Sequence, residues 1–377
     1  MSRQIPTVGI LGGGQLGRMF IQEAINLNVQ VHILDPDQDA PCKSLATIFE
    51  QGPLLDYDAV LAFGQKCDII TIEIETVNTA ALKELRSLGK RVWPQPEIIE
   101  MIQDKRQQKI FYQKAGIPTA PFILTDHRED VRKHASFLPA VNKLGKGGYD
   151  GRGVQVLRST EDLGKAFDEA GLLEKFIPFE KELAVIVSRN ESGELAVFPP
   201  VECEFHPEAN LVEFLFSPAT ISDQIAEKAA QLALRVIEEL QMVGLLAVEM
   251  FLTADGELLV NEIAPRPHNS GHHTIEGNMS SQFAQHLRAI LNLPPADTSQ
   301  RCPAAMVNLL GEEGYSGEAI YEGLEDILRL PGVYLHLYGK KFTKPYRKMG
   351  HITVLDKDIT QLKAKARSIK NQLKVKA

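Results

Sequence analysis

The side chains best placed to do chemistry are two glutamates. Apolar runs over 246–252 and 258–264 flank Thr253-Ala254-Asp255-Gly256-Glu257, and Asp-Gly between two such runs predicts a two-residue hairpin loop. With Asp255 and Gly256 as that loop, Glu249 and Glu262 face each other across the ladder, their Cβ atoms ~4.5–5.5 Å apart. Carboxylates that close repel unless a cation lies between them. Magnesium, or manganese in its place, suits the pair, because it takes hard oxygen ligands from one or two carboxylates and completes its shell with substrate phosphates. A slip of one residue would put the two groups on opposite faces. Solvent-facing glutamates on an edge strand are the alternative, and the apolar neighbours disfavour it.

Two glycine loops could seat the phosphates. Gly12, Gly14 and Gly17 lie between a short apolar run over 7–11 and a helix-like stretch, and Asp35 ends the next strand. This spacing fits a dinucleotide fingerprint, but free N–H groups at a helix N-terminus hold any phosphate, and a structural tight turn also fits. The second loop, 143–153, packs five glycines with Lys143, Lys146 and Arg152. It lacks the Gly-Lys-Ser/Thr of a Walker loop and is followed by a strand-like run. A glycine-dense hairpin can close over a polyphosphate as a lid, with a lysine on the strand below neutralising charge.

The elements that must position these groups form an α/β chain. Strands over 7–11, 29–34, 68–74 and 91–93 alternating with helices such as 79–88 predict a parallel sheet in the first ~100 residues. Glu73 and Glu75 then lie at the C-terminal end of a strand, where open α/β sheets place ligands. A charged helix over 104–116 opens a small central module with strands over 140–143 and 154–157 and a helix over 161–170. Strands over 183–188 and 195–201 follow, then a helix over 223–240 capped by Ser222, the hairpin, and a tail with strands and a lysine-rich surface helix over 360–374. The expected domains are 1–103, 104–176 and 177–377. A chain of 377 residues supports two to three domains of about 150. A net charge of −8 gives no global field for nucleic acid, so an anionic ligand needs a local basic pocket. Four dispersed cysteines without C-x-x-C read as free thiols rather than a disulfide framework or zinc site. No apolar run approaches the ~20 residues of a membrane span, so a soluble cytoplasmic protein is expected.

A glycine lid on a small module, a lysine before it and Glu249 … Asn261-Glu262 on a later hairpin resemble the ATP-grasp fold. That fold comprises an N-terminal Rossmann-like parallel sheet, a central lid domain and a C-terminal mixed sheet. Within it, Gly12–Gly17, Gly147–Gly153, Asn261–His272 and Arg347–His351 resemble the N5-carboxyaminoimidazole ribonucleotide synthetases of purine biosynthesis. The resemblance implies a ligase that uses ATP to carboxylate 5-aminoimidazole ribonucleotide with bicarbonate through carboxyphosphate, and a homodimer. It implies that Lys143 and the lid residues Gly147, Gly148, Tyr149, Asp150, Gly151, Arg152 and Gly153 hold the triphosphate. Adenine would lie along Glu174, Lys175, Phe176 and Ile177, with Glu182 on the ribose, His206 near ATP, and Asn261 beside the metal ligands. Lys105 stands where the family has an ATP-contacting arginine, with Arg106 adjacent. For the ribonucleotide it implies Tyr149, Asp150, Arg266 and His268 near the reacting centre, Lys340 and Arg347 at the phosphate, and Gly14, Gln15 and Leu16 beside the same nucleotide, with Glu73 as a further contact. Arg266 would hold carboxyphosphate, and His268 or Asp150 would manage the amine proton. The competing readings are another ATP-grasp ligase such as the formate-using glycinamide ribonucleotide transformylase, an inactive nucleotide-binding regulator, and an NAD dehydrogenase.

Overall fold

The computed structural model describes residues 6–148, 153–205 and 211–377. Among the described residues three larger sheets carry the chain, with two two-stranded ones beside them. In the first, strands Ile48–Gln51, Val31–Asp35, Val8–Leu11, Ile69–Ile72 and Arg91–Val92 lie side by side in that order, all parallel. Strands covered on both faces read as continuous apolar runs, and Val8–Leu11 and Ile69–Ile72 are buried throughout. The chain steps outward from Val8–Leu11 in one direction and then returns to its other side. The topological switch therefore falls between Val8–Leu11 and Ile69–Ile72, and Gly12 and Glu73 follow those two strands at their C-terminal ends.

The second sheet is antiparallel, in the order Phe122–Thr125, Gly171–Lys175, Ala140–Leu144, Val154–Leu157. The helix expected over 161–170 is absent. Thr160–Lys165 forms only a 3-10 turn, capped reciprocally by Ser159 and Asp162, and the chain then returns as the strand Gly171–Lys175. Gly164 weakens the helix, and the pairing of 171–175 with strands on both sides overrides local propensity.

The third sheet has nine strands. At one edge, Leu258–Ala264 pairs with Gly244–Thr253, which pairs with Phe179–Arg189. The helix Asp223–Glu239, with the Ser222 side chain accepting from Ile225 N at its start, buries Ala229, Ala233, Val236 and Ile237 against Val185, Val187, Val248 and Met250. Because strand side chains alternate, Glu249 is on the other face. The strand expected over 195–201 is two, Leu195–Val197 and Val201–Phe205, interrupted by Pro199-Pro200, which cannot donate to a ladder. The terminal helix Ile359–Gln372 is not a solvated rod: Leu362, Ala366 and Ile369 pack on Val307, Ile352 and Val354. Lys374–Lys376 is a strand paired with Ile320–Glu322. Among the described residues no helix is long and apolar enough to cross a membrane, and the four cysteines are free.

The hairpin reaches the expected pairing by an unexpected route. Its loop has three residues, 254–256, closed by Thr253 N donating to the Glu257 carbonyl at 3.0 Å, with Gly256 in the left-handed region at φ +82. Near the loop Leu252 faces Leu258 and Met250 faces Val260, and a bulge then restores Glu249 opposite Glu262. Had the ladder run on regularly, Glu249 would oppose Asn261 and Glu262 would point into the helix-covered face. The bulge re-aims the strand, so Asn261 and Glu262 both serve the acidic face.

Gly171 sits where a Cβ would lie 2.2 Å from the Lys143 carbonyl oxygen. Gly171→Ala is expected to destabilise the small sheet by about 1–3 kcal/mol through overpacking, read as a lower urea midpoint. An unchanged midpoint would show that these two strands can part without cost.

Candidate active site

Three carboxylates share one face of the third sheet. Glu249 opposes Glu262 on one side and Ala184 on the other, and Glu182 lies two residues along from Ala184, opposite Phe251. Burial, reinforced by the charge of Glu262, pushes the Glu249 carboxyl up from its ordinary value. Burial together with the Glu249 charge does the same to Glu182. Glu262 goes the other way. Burial would raise it, but Lys105, with Nζ 2.5 Å from Oε1, and then Lys143 and Arg266 outweigh that and hold it below the usual range. The Phe251 ring stacks on Phe179 with centroids 4.6 Å apart, an apolar wall beside Glu182 that the sequence reading missed.

The cations come from other elements. Helix Lys105–Lys114 starts at Asp104, whose side chain accepts from Arg106 N, and aims Lys105 at Glu262. Arg106 turns away to Asp126 at 2.9 Å, so of the two adjacent cations Lys105 is the one in the site. Lys143 Nζ is 2.7 Å from Glu174 Oε1 and 3.1 Å from Asn261 Oδ1, which joins the small sheet to the bulge. Arg266 Nε lies 2.9 Å from Glu75 Oε1 and connects the hairpin's end with the crevice of the first sheet. Lys348 was not singled out in the sequence, yet its charge acts on both Glu249 and His268. Its neighbour Arg347 donates to the Phe342 carbonyl at 2.6 Å, and Lys340 donates to the Lys348 carbonyl at 2.7 Å.

His268 is held in one tautomer. Its Nδ1 accepts from Ser270 N at 3.3 Å and contacts Ser270 Oγ at 2.9 Å. The ring proton is therefore on Nε2, 3.6 Å from Glu249 Oε1. Burial first, then the charges of Arg266 and Lys348, take its pKa down to about 3. At neutral pH His268 is an uncharged donor.

The first glycine loop receives an anion from its own chain. The Glu73 carboxylate, 9% exposed, accepts from Gly14 N and, at 2.8 Å, from Leu16 N. A Cβ at Gly12 would meet Glu73 Cβ at 2.9 Å, one at Gly14 would meet Oε1 at 2.6 Å, and one at Gly17 would meet Oε2 at 3.3 Å. The fingerprint spacing thus reports the close approach of a side-chain carboxylate to a helix N-terminus. Asp35 accepts from Gly13 N at 2.6 Å and is likewise committed to the loop.

On the linker, Lys175 N and Phe176 N donate to the carbonyls of Pro121 and Pro139, at 2.8 and 3.1 Å. Neither proline has an N–H to return, so the carbonyls of Lys175 and Phe176 stay outside the ladder. The Lys175 ammonium turns back onto the Phe137 and Leu138 carbonyls, and Ile177 follows where the strand has ended. Gly147 and Gly153 take φ of +79 and +75 at the base of the second glycine loop, next to Gly148. Tyr149, Asp150, Gly151, Arg152 and His206 lie outside the described residues. Among the described residues no group of three or more histidine, cysteine, aspartate or glutamate side chains is arranged to hold a metal ion. The Glu249–Glu262 pair suits an ion that draws the rest of its shell from a ligand.

Comparison with known proteins places the chain. Family models match in succession: a ribonucleotide synthetase preATP-grasp domain over residues 5–103, an ATP-grasp domain over 110–283, and a phosphoribosylaminoimidazole carboxylase C-terminal domain over 304–365. The N5-carboxyaminoimidazole ribonucleotide synthase of Synechococcus elongatus is 40% identical over 92% of this chain and 89% of its own length. The chain belongs to the N5-carboxyaminoimidazole ribonucleotide synthase family. The crystal structure of the Thermotoga maritima synthetase superposes with a TM-score of 0.91 at 43% identity, covering 99% of this chain and 100% of that one. That of the Aspergillus clavatus synthase in complex with ADP and 5-aminoimidazole ribonucleotide gives 0.89 at 34%, covering 97% and 98%. The chain spans 65% of the length of the chloroplastic phosphoribosylaminoimidazole carboxylase of Vigna aconitifolia, to which it is 38% identical over 95% of its own residues. The expected ATP-grasp architecture holds.

Glu249 makes an apo member of this family less stable as pH rises. Its folded carboxyl titrates above the ordinary range, so the stability it contributes is complete below that range and is lost as pH rises through the raised value. Glu249→Gln is expected to unfold at a higher temperature than the parent at pH 8 in chelator, by on the order of 1 kcal/mol, with the gap closing by pH 5. A gap independent of pH would show that the pair is not under charge repulsion.

Proposed function

We propose that this chain is an ATP-dependent ligase that joins bicarbonate to the exocyclic amine of 5-aminoimidazole ribonucleotide, giving N5-carboxyaminoimidazole ribonucleotide, ADP and phosphate through carboxyphosphate. The observation that carries the reading is the Glu249–Glu262 pair, opposed across the bulge and ringed by Lys105, Lys143 and Arg266. The Aspergillus clavatus relative, bound to ADP and 5-aminoimidazole ribonucleotide, supports the choice of substrates, and the resemblance supplies bicarbonate.

Glu249 and Glu262 would hold magnesium or manganese, and the fit rests on their opposed oxygens and on the repulsion that raises Glu249. When bound, that ion neutralises charge on the transferring phosphoryl group. Lys105 and Lys143 face the same anion, with Asn261 steering Lys143. The carbonyls of Lys175 and Phe176, freed by their proline partners, suit the amino edge of adenine, and Glu182 suits the ribose hydroxyls. Arg266, steadied by Glu75, meets carboxyphosphate. His268, neutral with its proton on Nε2, donates a hydrogen bond there rather than taking a proton, which leaves the amine proton to Asp150. Glu73 already fills the amides of the first glycine loop, so that loop meets the ribonucleotide through Gln15 and the rim of the carboxylate, and Lys340, Arg347 and Lys348 supply positive charge for the phosphate. The resemblance also implies a homodimer, which sedimentation of the purified chain tests.

ADP release is expected to require bicarbonate and 5-aminoimidazole ribonucleotide together. Release driven instead by formate and glycinamide ribonucleotide would overturn the assignment. His268→Ala should lower kcat by about 10²–10³, the worth of one donor to a developing anion, without moving either limb of the pH–rate profile. A displaced limb would show that the imidazole titrates during turnover.

A further inference from the structure

Helix Lys105–Lys114 carries a second lysine on its inner face. Lys109 follows Lys105 by one turn and is 3% exposed. Its ammonium pairs with Glu174 Oε2, donates to Thr119 Oγ1, and lies 5.7 Å from the Tyr112 ring centroid. Thr119 Oγ1 donates onward to the Val260 carbonyl at 2.7 Å, and Val260 N donates to the Pro118 carbonyl at 2.8 Å. The ammonium is therefore fixed against the strand that carries the bulge. Burial takes its pKa down to about 8, opposed by the Glu174 charge.

Glu174 stands between two lysines. One oxygen faces Lys109 and the other faces Lys143 at 2.7 Å. The carboxylate is 2% exposed, so water does little to screen it, and whatever charge Lys109 does not compensate falls on Lys143. A Lys143 bound that way would be held to the small sheet and kept from any phosphate. With Lys109 in place, Lys143 can leave Glu174 without stranding a buried, unpaired charge, a situation that is strongly unfavourable.

We propose that Lys109 is a positioning residue: it compensates Glu174 so that Lys143 can turn from that carboxylate onto the nucleotide's phosphates. This rests on the reading of Lys143 as a triphosphate contact. Lys109 itself touches neither nucleotide nor the reacting atoms.

The test uses the full-length chain and measures ADP affinity by calorimetry with magnesium present, the KM for ATP and kcat by ADP release, and thermal unfolding. Lys109→Met is expected to raise the ADP Kd and the ATP KM about tenfold and change kcat less than threefold. Both side-chain oxygens of Glu174 face the lysines, so adding Glu174→Gln removes the uncompensated carboxylate while keeping the linker backbone that would lie along adenine, and is expected to return both constants to within threefold of the parent. If Lys109→Met lowers only the thermal midpoint and leaves nucleotide affinity unchanged, or if the double variant stays as weak as the single, the proposal is overturned. Should the single variant not fold, the double decides alone: affinity within threefold of the parent supports the role, and a tenfold loss refutes it. A parent chain that binds ADP but fails to carboxylate would sink the proposed reaction while leaving this comparison of affinities intact.

Discussion

The site is organised around carboxylates that a folded chain would ordinarily keep apart. Glu182, Glu249 and Glu262 occupy one face of adjoining strands, and the first two are shifted toward their protonated forms by burial and by the charge of a neighbouring carboxylate, Glu249 for Glu182 and Glu262 for Glu249. Such a cluster persists only where the surrounding packing over-determines it. The helix-covered core on the opposite face supplies that packing, since Val185, Val187, Val248, Met250 and Val260 lock the strands in register. Around the acids the chain places cations from separate elements, so no single hairpin or helix could show the site alone. Burial and the Glu262 charge leave Glu249 short of compensation, which is the physical ground for the cation proposed there, while the surrounding lysines and Arg266 are the groups suited to an anion.

Sequence patterns revealed this arrangement unevenly. The apolar runs around Glu249 and Glu262 and the Asp-Gly turn between them pointed to the opposed pair, although a two-residue loop was expected where three residues turn and a bulge follows. The two departures cancel, because each shifts the register by one in opposite senses. A bulge at Asn261 leaves no mark in hydrophobic periodicity: it depends on Pro118 and Thr119, which bond to Val260 from a segment about 140 residues earlier. The same remoteness hid Lys109. Its spacing from Lys105 was visible, but nothing local distinguishes a buried lysine from the solvated face of a charged helix until Glu174 is brought beside it.

The first glycine loop shows how a correct pattern can carry a different meaning. Its spacing demands a close approach of something to a helix N-terminus, and the physics of that demand does not specify the partner. Here the partner is Glu73, held by Gly14 and Leu16 amides, so an internal carboxylate takes the seat that a pyrophosphate takes elsewhere. The short side of each glycine is as necessary for a carboxylate as for a phosphate. Composition between strand and helix therefore reported the need for an anion and was silent on its source, because Glu73 enters from the neighbouring parallel strand.

Assembly of the site also couples the three sheets. Lys143 and Glu174 belong to the small sheet, Asn261 and Glu262 to the edge hairpin of the large one, and Glu75 meets Arg266 from the crevice of the first. Charged contacts between modules are easily exchanged for others, unlike an interdigitated apolar seam. A nucleotide that draws Lys143 toward its phosphates would loosen one tie between the small sheet and the bulge, and in exchange would bridge the same two modules itself. The pairing of Glu174 with a second lysine keeps that exchange from leaving a bare charge behind. On the proposed reading the ion pairs at this junction stand where the ligand would bind, and their geometry ties together acidic and basic residues far apart in sequence.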